Sequence, residues 1–425
     1  MATPYYPALQ CARDIGQACP RNEVQESYSS SVHSHVIQTL PVPFGVLDIH
    51  FSPTRPCVLA ATTSTGSIAT YVLSPASATS TATSNTTPST FPSPSHLELT
   101  PIATLQAFDP TTIVTSLCWF PSPTPTATDS ASLAVTLTTG EVGILTLPSA
   151  LLTLTAHPEP ITVDDVEFEI LYTHSLEAWV TTVLPPEWPH SGILSGGDDA
   201  VLAYAPLPPS AASIGTPPAD SPPIDADSST SHPSHASQPP LPAWSNKRIH
   251  GAGVTAILPI SIPHPRVNNS SFAAATRFYL TGSYDDTLRI LSVPDGTMVR
   301  QPRVLHEMGL GGGVWRIKVL RNSTIRTVDT WGFSATLLVS CMYAGAKVVE
   351  IKGVAGKGDE GLERGVLEWT SREVGRMEEH ESMCYACDAQ APGDDSGDRN
   401  GDRMVVSCSF YDKRLCLWKW PSVGT

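Results

Sequence analysis

Four short stretches of the sequence combine residue types suited to binding or acid–base chemistry. Asp198 stands directly before Asp199, Tyr284 before Asp285, and Tyr411 before Asp412. The fourth stretch, Gly311-Gly-Gly-Val-Trp-Arg316, sets three glycines ahead of an aromatic ring and a cation. Without a Cβ, Gly312 and Gly313 permit close approach to their backbone. Trp315, Tyr284 and Tyr411 are read as an aromatic cup, with the Asp198 carboxylate beside it. An acidic and aromatic mouth suits a cationic, methylated or quaternary ammonium ligand, because π faces and carboxylates both attract positive charge. Loop packing, or a peptide-binding rim, is the plainer use of the same residues.

Three histidine groups need separating from this site. They are His174 with Asp199, His250 with Ser283 and Asp285, and His380 with Ser409, Asp412 and Trp418. Each contains parts of a hydrolase triad, but no G-x-S-x-G elbow accompanies them. These residues are expected to form buried hydrogen-bond networks that stitch a turn to a sheet. Cys384-Tyr-Ala-Cys387 has the spacing of a zinc or redox pair. No second Cys/His pair completes a tetrahedral set, so a packed strand is expected there and no metal or cofactor.

The elements that position these residues follow a repeated grammar: an apolar strand, a gap, a strand ending in small residues, a tight turn, then an alternating strand. Copies run from VLDIHFSP with VLAATTSTGSIATYVL (Val46–Leu73) to MCYACDA with MVVSCSFYDKRLCLWKW (Met383–Trp420), six in all. Alternation at period two predicts antiparallel strands. Fourth strands are expected at Leu97–Gln106, Glu167–Thr173, Trp244–His250, Met298–Leu305 and Val366–Val374. The sixth unit lacks one, and His35–Leu40 is expected to supply it and close a ring. The expected fold is all-β, a WD40-type β-propeller of six recognisable repeats, with a degenerate seventh blade at the N-terminus as the alternative. The propeller is placed at 35–420, after a partly disordered segment 1–34 and before a short tail 421–425. Ser/Thr/Pro-rich insertions at 74–95 and 206–242 are expected to be disordered.

Composition agrees. Forty prolines and 29 glycines among 425 residues exclude a helical bundle or a doubly wound sheet. The net charge of −15, without a basic cluster, argues against nucleic-acid and anionic-membrane partners. Nine cysteines without a paired pattern, and no basic-then-apolar leader, point to a cytoplasmic protein, expected to be a monomer.

The ordered series SGGDDAVLAYAPL, HGAGVTAI, YLTGSYDDTLRI, GGGVWRIK, LLVSCMYAGAKV, HESMCYAC and VVSCSFYDKRLCLWKW, across Trp179–Trp420, resembles the WD-repeat diphthine methyltransferase family, whose members are methylesterases. The resemblance implies hydrolysis of the methyl ester of methylated diphthine on translation elongation factor 2, releasing methanol, as a step of diphthamide biosynthesis. Ester cleavage requires an activated water and donors for the oxyanion. Asp198 is the expected base or ammonium contact. Arg316 and the Gly312–Gly313 amides are the expected oxyanion donors, and Trp315, Tyr284 and Tyr411 the ammonium cradle. Cys341 and Cys408 are rival nucleophiles. The competing class is a non-catalytic WD40 scaffold. A true methyltransferase is disfavoured, since no glycine-rich loop links a strand to a helix.

Overall fold

The computed structural model describes residues 32–33, 35–75, 97–120, 131–147, 167–186, 188, 191–207, 241–263, 275–292, 302–326, 331–355, 367–390 and 403–421. Each regular element in them is a strand. Two strands, β1 (Val32–His33) and β2 (His35–Pro41), precede the first blade. That blade holds β3 (Val46–Phe51), β4 (Val58–Thr63), β5 (Ser67–Pro75) and β6 (Leu97–Gln106). The second holds β7 (Val114–Trp119), β8 (Ala131–Leu137), β9 (Glu141–Leu147) and β10 (Glu167–Thr173). The third holds β11 (Ala178–Val183), β12 (Gly192–Gly197), β13 (Leu202–Pro206) and β14 (Trp244–Asn246). The fourth holds β15 (Val254–Pro263), β16 (Ala275–Ser283), β17 (Thr287–Ser292) and β18 (Val304–Gly309). The fifth holds β19 (Arg316–Arg326), β20 (Trp331–Ser340), β21 (Ala346–Ala355) and β22 (Leu367–Met377). The sixth holds β23 (Cys384–Ala389), β24 (Arg403–Ser409) and β25 (Arg414–Trp420), with β2 as its fourth strand.

The innermost strands β3, β7, β11, β15, β19 and β23 pack against one another in that order, and β23 returns to β3. The Phe51 amide donates to Asp388 Oδ2 across the closing seam at 2.8 Å. Six blades therefore complete a β-propeller of the WD40 type, and no gap is left for a seventh. The expected closure by His35–Leu40 is observed: β2 pairs with β25 from His35↔Lys419 to Pro41↔Arg414. The neighbouring blade gains a strand that the repeat pattern did not predict, β1 parallel to β22.

The inner and middle strands do not show the half-buried alternation expected of them. All six residues of β4, and all six of β11 and β12, are buried. Each blade is covered on both faces by its neighbours, so polarity is hidden on either side. Alternation survives on outer strands such as β22. Two outer strands differ from expectation. β14 stops at Asn246, whose side chain accepts the Arg248 amide at 2.7 Å and turns the chain. β18 begins beyond Pro302, which has no N–H to give a ladder. Residues 1–31, 76–96 and 208–240, where most of the expected leading segment and insertions fall, lie outside the described residues.

One irregularity recurs. Five innermost strands change register around their second residue: Leu47, Thr115, Trp179, Thr255 and Tyr385. Such a bulge leaves the extra residue outside the regular ladder and re-aims its side chain. In the fifth blade, Trp315 occupies the corresponding end of the hub, directly before β19.

Candidate functional site

Loops entering the innermost strands and turns joining second to third strands share one end of the ring. In four blades the second-to-third turn contains a non-glycine residue in the left-handed region: Ala200 (φ 61°), Asp286 (φ 61°), Met342 (φ 45°) and Lys413 (φ 53°). Asp198, Tyr284 and Tyr411 stand two residues before that position in the third, fourth and sixth blades, so they occupy equivalent places in those turns. Asp199, Asp285 and Asp412 stand one residue before it and face back into the blade.

The backward-facing acids meet the histidines. His174 Nδ1 lies 3.1 Å from Asp199, and its Nε2 lies 2.6 Å from Ser195 Oγ. Tyr172 continues that chain, its hydroxyl 2.5 Å from Ser195 Oγ. His250 Nδ1 lies 3.1 Å from Asp285, but the hydroxyl on Nε2 is Thr281, at 2.9 Å, and not Ser283. His380 reaches Ser407 at 2.9 Å, not Ser409, and stands 3.7 Å from Asp412. Ser283 and Ser409 instead accept the backbone amides of Asp285 and Asp412. Each displaced serine is two residues from the true partner, on the same face of its strand. Trp418 is fully buried, and its indole N–H has no partner among the described residues. It contributes packing, not a link in the chain.

The aromatic residues form a connected floor. Trp315 meets Trp179 at 5.4 Å in a tilted contact, and meets Tyr284 at 5.4 Å and Tyr385 at 4.7 Å edge to face. Tyr411 joins through Tyr385 at 6.2 Å and Phe410 at 5.2 Å. Trp315, Trp179 and Tyr385 are buried, so they fill the hub at this level, while Tyr284 is half-buried and Tyr411 is 36% exposed. Trp315 is thus the pillar beneath the expected cup. The Tyr284 ring lies across Gly253, where an added Cβ would meet it at 3.0 Å and the Asp198 Cα at 3.1 Å.

Asp198 sits at the edge of this floor, accepting the Trp179 indole N–H at 3.4 Å. Partial burial raises its carboxyl above the usual 3.8; the Trp179 N–H opposes this, while nearby Glu177 and Asp199 add to it. Burial, reinforced by the Asp198 charge, holds the Tyr284 hydroxyl well above 10, so it keeps its proton.

Arg316 is not at the mouth. It lies buried in the hub, under Trp315, with its guanidinium 5.7 Å from that ring. Its Nε donates to Asp48 Oδ1 at 2.8 Å. The terminal nitrogens donate to the carbonyls of Thr255 (2.7 Å), Trp315 (2.8 Å), Thr115 (2.7 Å) and Trp179 (3.1 Å). Those five bonds use all five guanidinium donors, which leaves none for an oxyanion. The catalytic assignment of Arg316 is therefore corrected: it collects four carbonyls, three of them from the bulged residues Thr115, Trp179 and Thr255. Gly312 and Gly313 are likewise buried, and an added Cβ would strike the Cys341 carbonyl at 2.2 Å or Met342 Sδ at 2.4 Å. The close approach they permit is to the protein's own turn.

The thiols fare no better as nucleophiles. Cys341 and Cys408 are fully buried, and burial pushes Cys341 up to about 12 and raises Cys408 further. Cys384 and Cys387 lie buried within β23. Sequence reasoning missed Trp179, Tyr385 and Asp48, and a deeper polar group in which Lys318 Nζ stands 2.9 Å from His50 and 3.7 Å from Asp388. The signal for Trp179 and Tyr385 was positional: each is the second residue of an innermost strand.

No protein-family model matches the chain. It is 33% identical over 182 residues to the diphthine methyltransferase of Saccharomyces cerevisiae, covering 41% of this chain and 39% of that protein. It is 30% identical over 176 residues to the diphthine methyltransferase of Schizosaccharomyces pombe, covering 41% and 40%. The match spans about two fifths of the length of each curated relative. These relatives support the resemblance to the diphthine methyltransferase family.

Proposed function

We propose that this chain is a diphthine methylesterase of diphthamide biosynthesis, acting on methylated diphthine carried by translation elongation factor 2. The observation that carries the reading is the pairing of Asp198, a carboxylate of raised basicity, with an aromatic floor at the mouth of the hub. The similarity to two diphthine methyltransferases supports the same substrate class.

In this mechanism the quaternary ammonium of the substrate rests against Tyr284 and Tyr411, above Trp315, with Glu177 adding negative charge nearby. Asp198 takes a proton from water as its oxygen attacks the ester carbonyl. The Tyr284 O–H, which holds its proton firmly, is the available side-chain donor to the oxyanion. Collapse breaks the bond to the methoxy oxygen, and that oxygen takes the proton from Asp198 and leaves as methanol. The product is the carboxylic acid, which gives up its remaining proton to solvent and becomes the free carboxylate. No metal or cofactor enters these steps. The setting we assign is cytoplasmic and monomeric; among the described residues no helix is long and apolar enough to cross a membrane.

A scaffold is the second reading. Leu176, Tyr343 and Tyr411 are 49%, 42% and 36% exposed on the loops of the mouth face, a pattern that also suits protein docking without chemistry. Incubating the purified protein with elongation factor 2 that carries the methylated intermediate, followed by mass spectrometry, separates the two. Loss of one CH2 from the modified peptide supports the esterase. Stable binding with no change of mass rejects it.

A further inference from the structure

Building on the assignment of Asp198 as base, we propose that Trp179 is a positioning residue: its indole N–H holds the Asp198 carboxylate in the orientation that receives the proton from water. Trp179 is fixed at three points. Its backbone is the bulged residue of β11, and its carbonyl accepts from Arg316 at 3.1 Å. Its ring is clamped between Trp315 at 5.4 Å and Tyr284 at 6.5 Å, and the residue is 1% exposed. A side chain held so tightly cannot follow the carboxylate, so the carboxylate must follow it.

The backbone of Asp198 is itself tied, its amide donating to the Glu177 carbonyl at 2.8 Å. The next residue, Asp199, is anchored to His174 and to the Ser175 amide. What remains free to turn is the Asp198 carboxylate. The charged and titratable groups facing it are Glu177 from the loop before β11, Asp199 from its own turn and Tyr284 from the fourth blade. Neither acid can donate a hydrogen bond while ionised, and both repel. The indole N–H opposes them and selects one carboxylate orientation, leaving the second oxygen for water. One buried residue thus joins the hub arginine to the reacting carboxylate.

The test is the pH dependence of kcat/KM on methylated elongation factor 2 for the full chain and for Trp179→Phe, Trp179→His and Asp198→Asn. Trp179→Phe keeps an aromatic ring but loses the N–H. It is expected to lower kcat roughly 10- to 100-fold with KM little changed, as misplacing a reacting group does. It is also expected to move the acidic limb to higher pH, because a carboxylate that loses a donor binds its proton more tightly. Trp179→His retains a ring N–H and should recover part of both; it carries the test if thermal melting shows Trp179→Phe unfolded. A Trp179→Phe profile that superimposes on wild type, beside an inactive Asp198→Asn, overturns this inference alone. An inactive wild type, or an active Asp198→Asn, overturns the base assignment and this inference with it.

Discussion

Asp48 of the first blade and Arg316 of the fifth meet at 2.8 Å across the hub, and neither side chain is more than 4% exposed. Asp48 also accepts the Leu117 amide of the second blade at 3.1 Å. Through Arg316, whose acceptors include Thr115, Trp179 and Thr255, this one ion pair fastens the innermost strands of five blades. Only β23 makes no direct bond to it among the described residues.

Breaking the pair should therefore cost global stability. Replacing Arg316 with Met leaves Asp48 buried without its counter-charge and four carbonyls without their donor. The expected loss is roughly 3–5 kcal/mol, the range for removing one partner of a buried pair. Urea unfolding measures it. A loss confined to catalysis, with an unchanged midpoint, contradicts the hub role.

Acid should reveal the same pair. Burial alone would raise the Asp48 carboxyl, but Arg316 and His50 overcome it and hold the group far below 3.8. A carboxylate depressed in the fold stabilises fully above its unfolded pKa, and that stability is lost as pH falls below about 4. Asp48→Asn should flatten the decline in melting temperature below pH 4 while lowering stability at neutral pH.

His380 titrates in a different window. Burial lowers it from 6.5 to about 4, Arg414 also lowering it and Asp412 partly opposing. The folded state thus favours the neutral ring, whereas the unfolded chain protonates below 6.5. Its contribution is present above pH 6.5 and drains away as pH falls toward 4. Melting curves of wild type and His380→Gln between pH 7 and 4 should converge as the medium becomes acidic.

Ester turnover should depend on Asp198 and not on thiols. Asp198→Asn is expected to lose at least about a hundredfold in kcat, the scale of a general base. In wild type, kcat/KM should fall as pH drops through the raised pKa of that carboxyl. Cys341→Ala and Cys408→Ala should retain turnover at temperatures where they remain folded, and iodoacetamide should leave the native enzyme active. Rapid loss of activity on alkylation, tracked to either thiol by peptide mapping, would reverse the order.

The propeller was legible because its strand grammar recurs, and His35–Leu40 fitted the one vacant position. Asp198, Tyr284 and Tyr411 were legible for the same reason: each precedes a structural aspartate in an equivalent turn. Arg316 was not. Apart from the adjacent Trp315 carbonyl its partners lie in other blades, and four of the five are backbone carbonyls, which any residue type can supply. Trp179 and Tyr385 looked like ordinary strand residues until the bulges turned them toward the hub. Thr281 and Ser407 were missed by two residues because alternation identifies a face, not a position along it.

The pairing of β2 with β25 also sets an order of events. Synthesis produces the sixth sheet's outer strand before any other strand of that sheet, and its three companions emerge only after five further sheets. Until then the nascent polypeptide is an open arc with two unsatisfied edges, a template for misassembly. Ring closure through β2 and β25 pairs His35 with Lys419, about the full span of the propeller, and chaperone capture or domain-swapped dimers should concentrate at that seam.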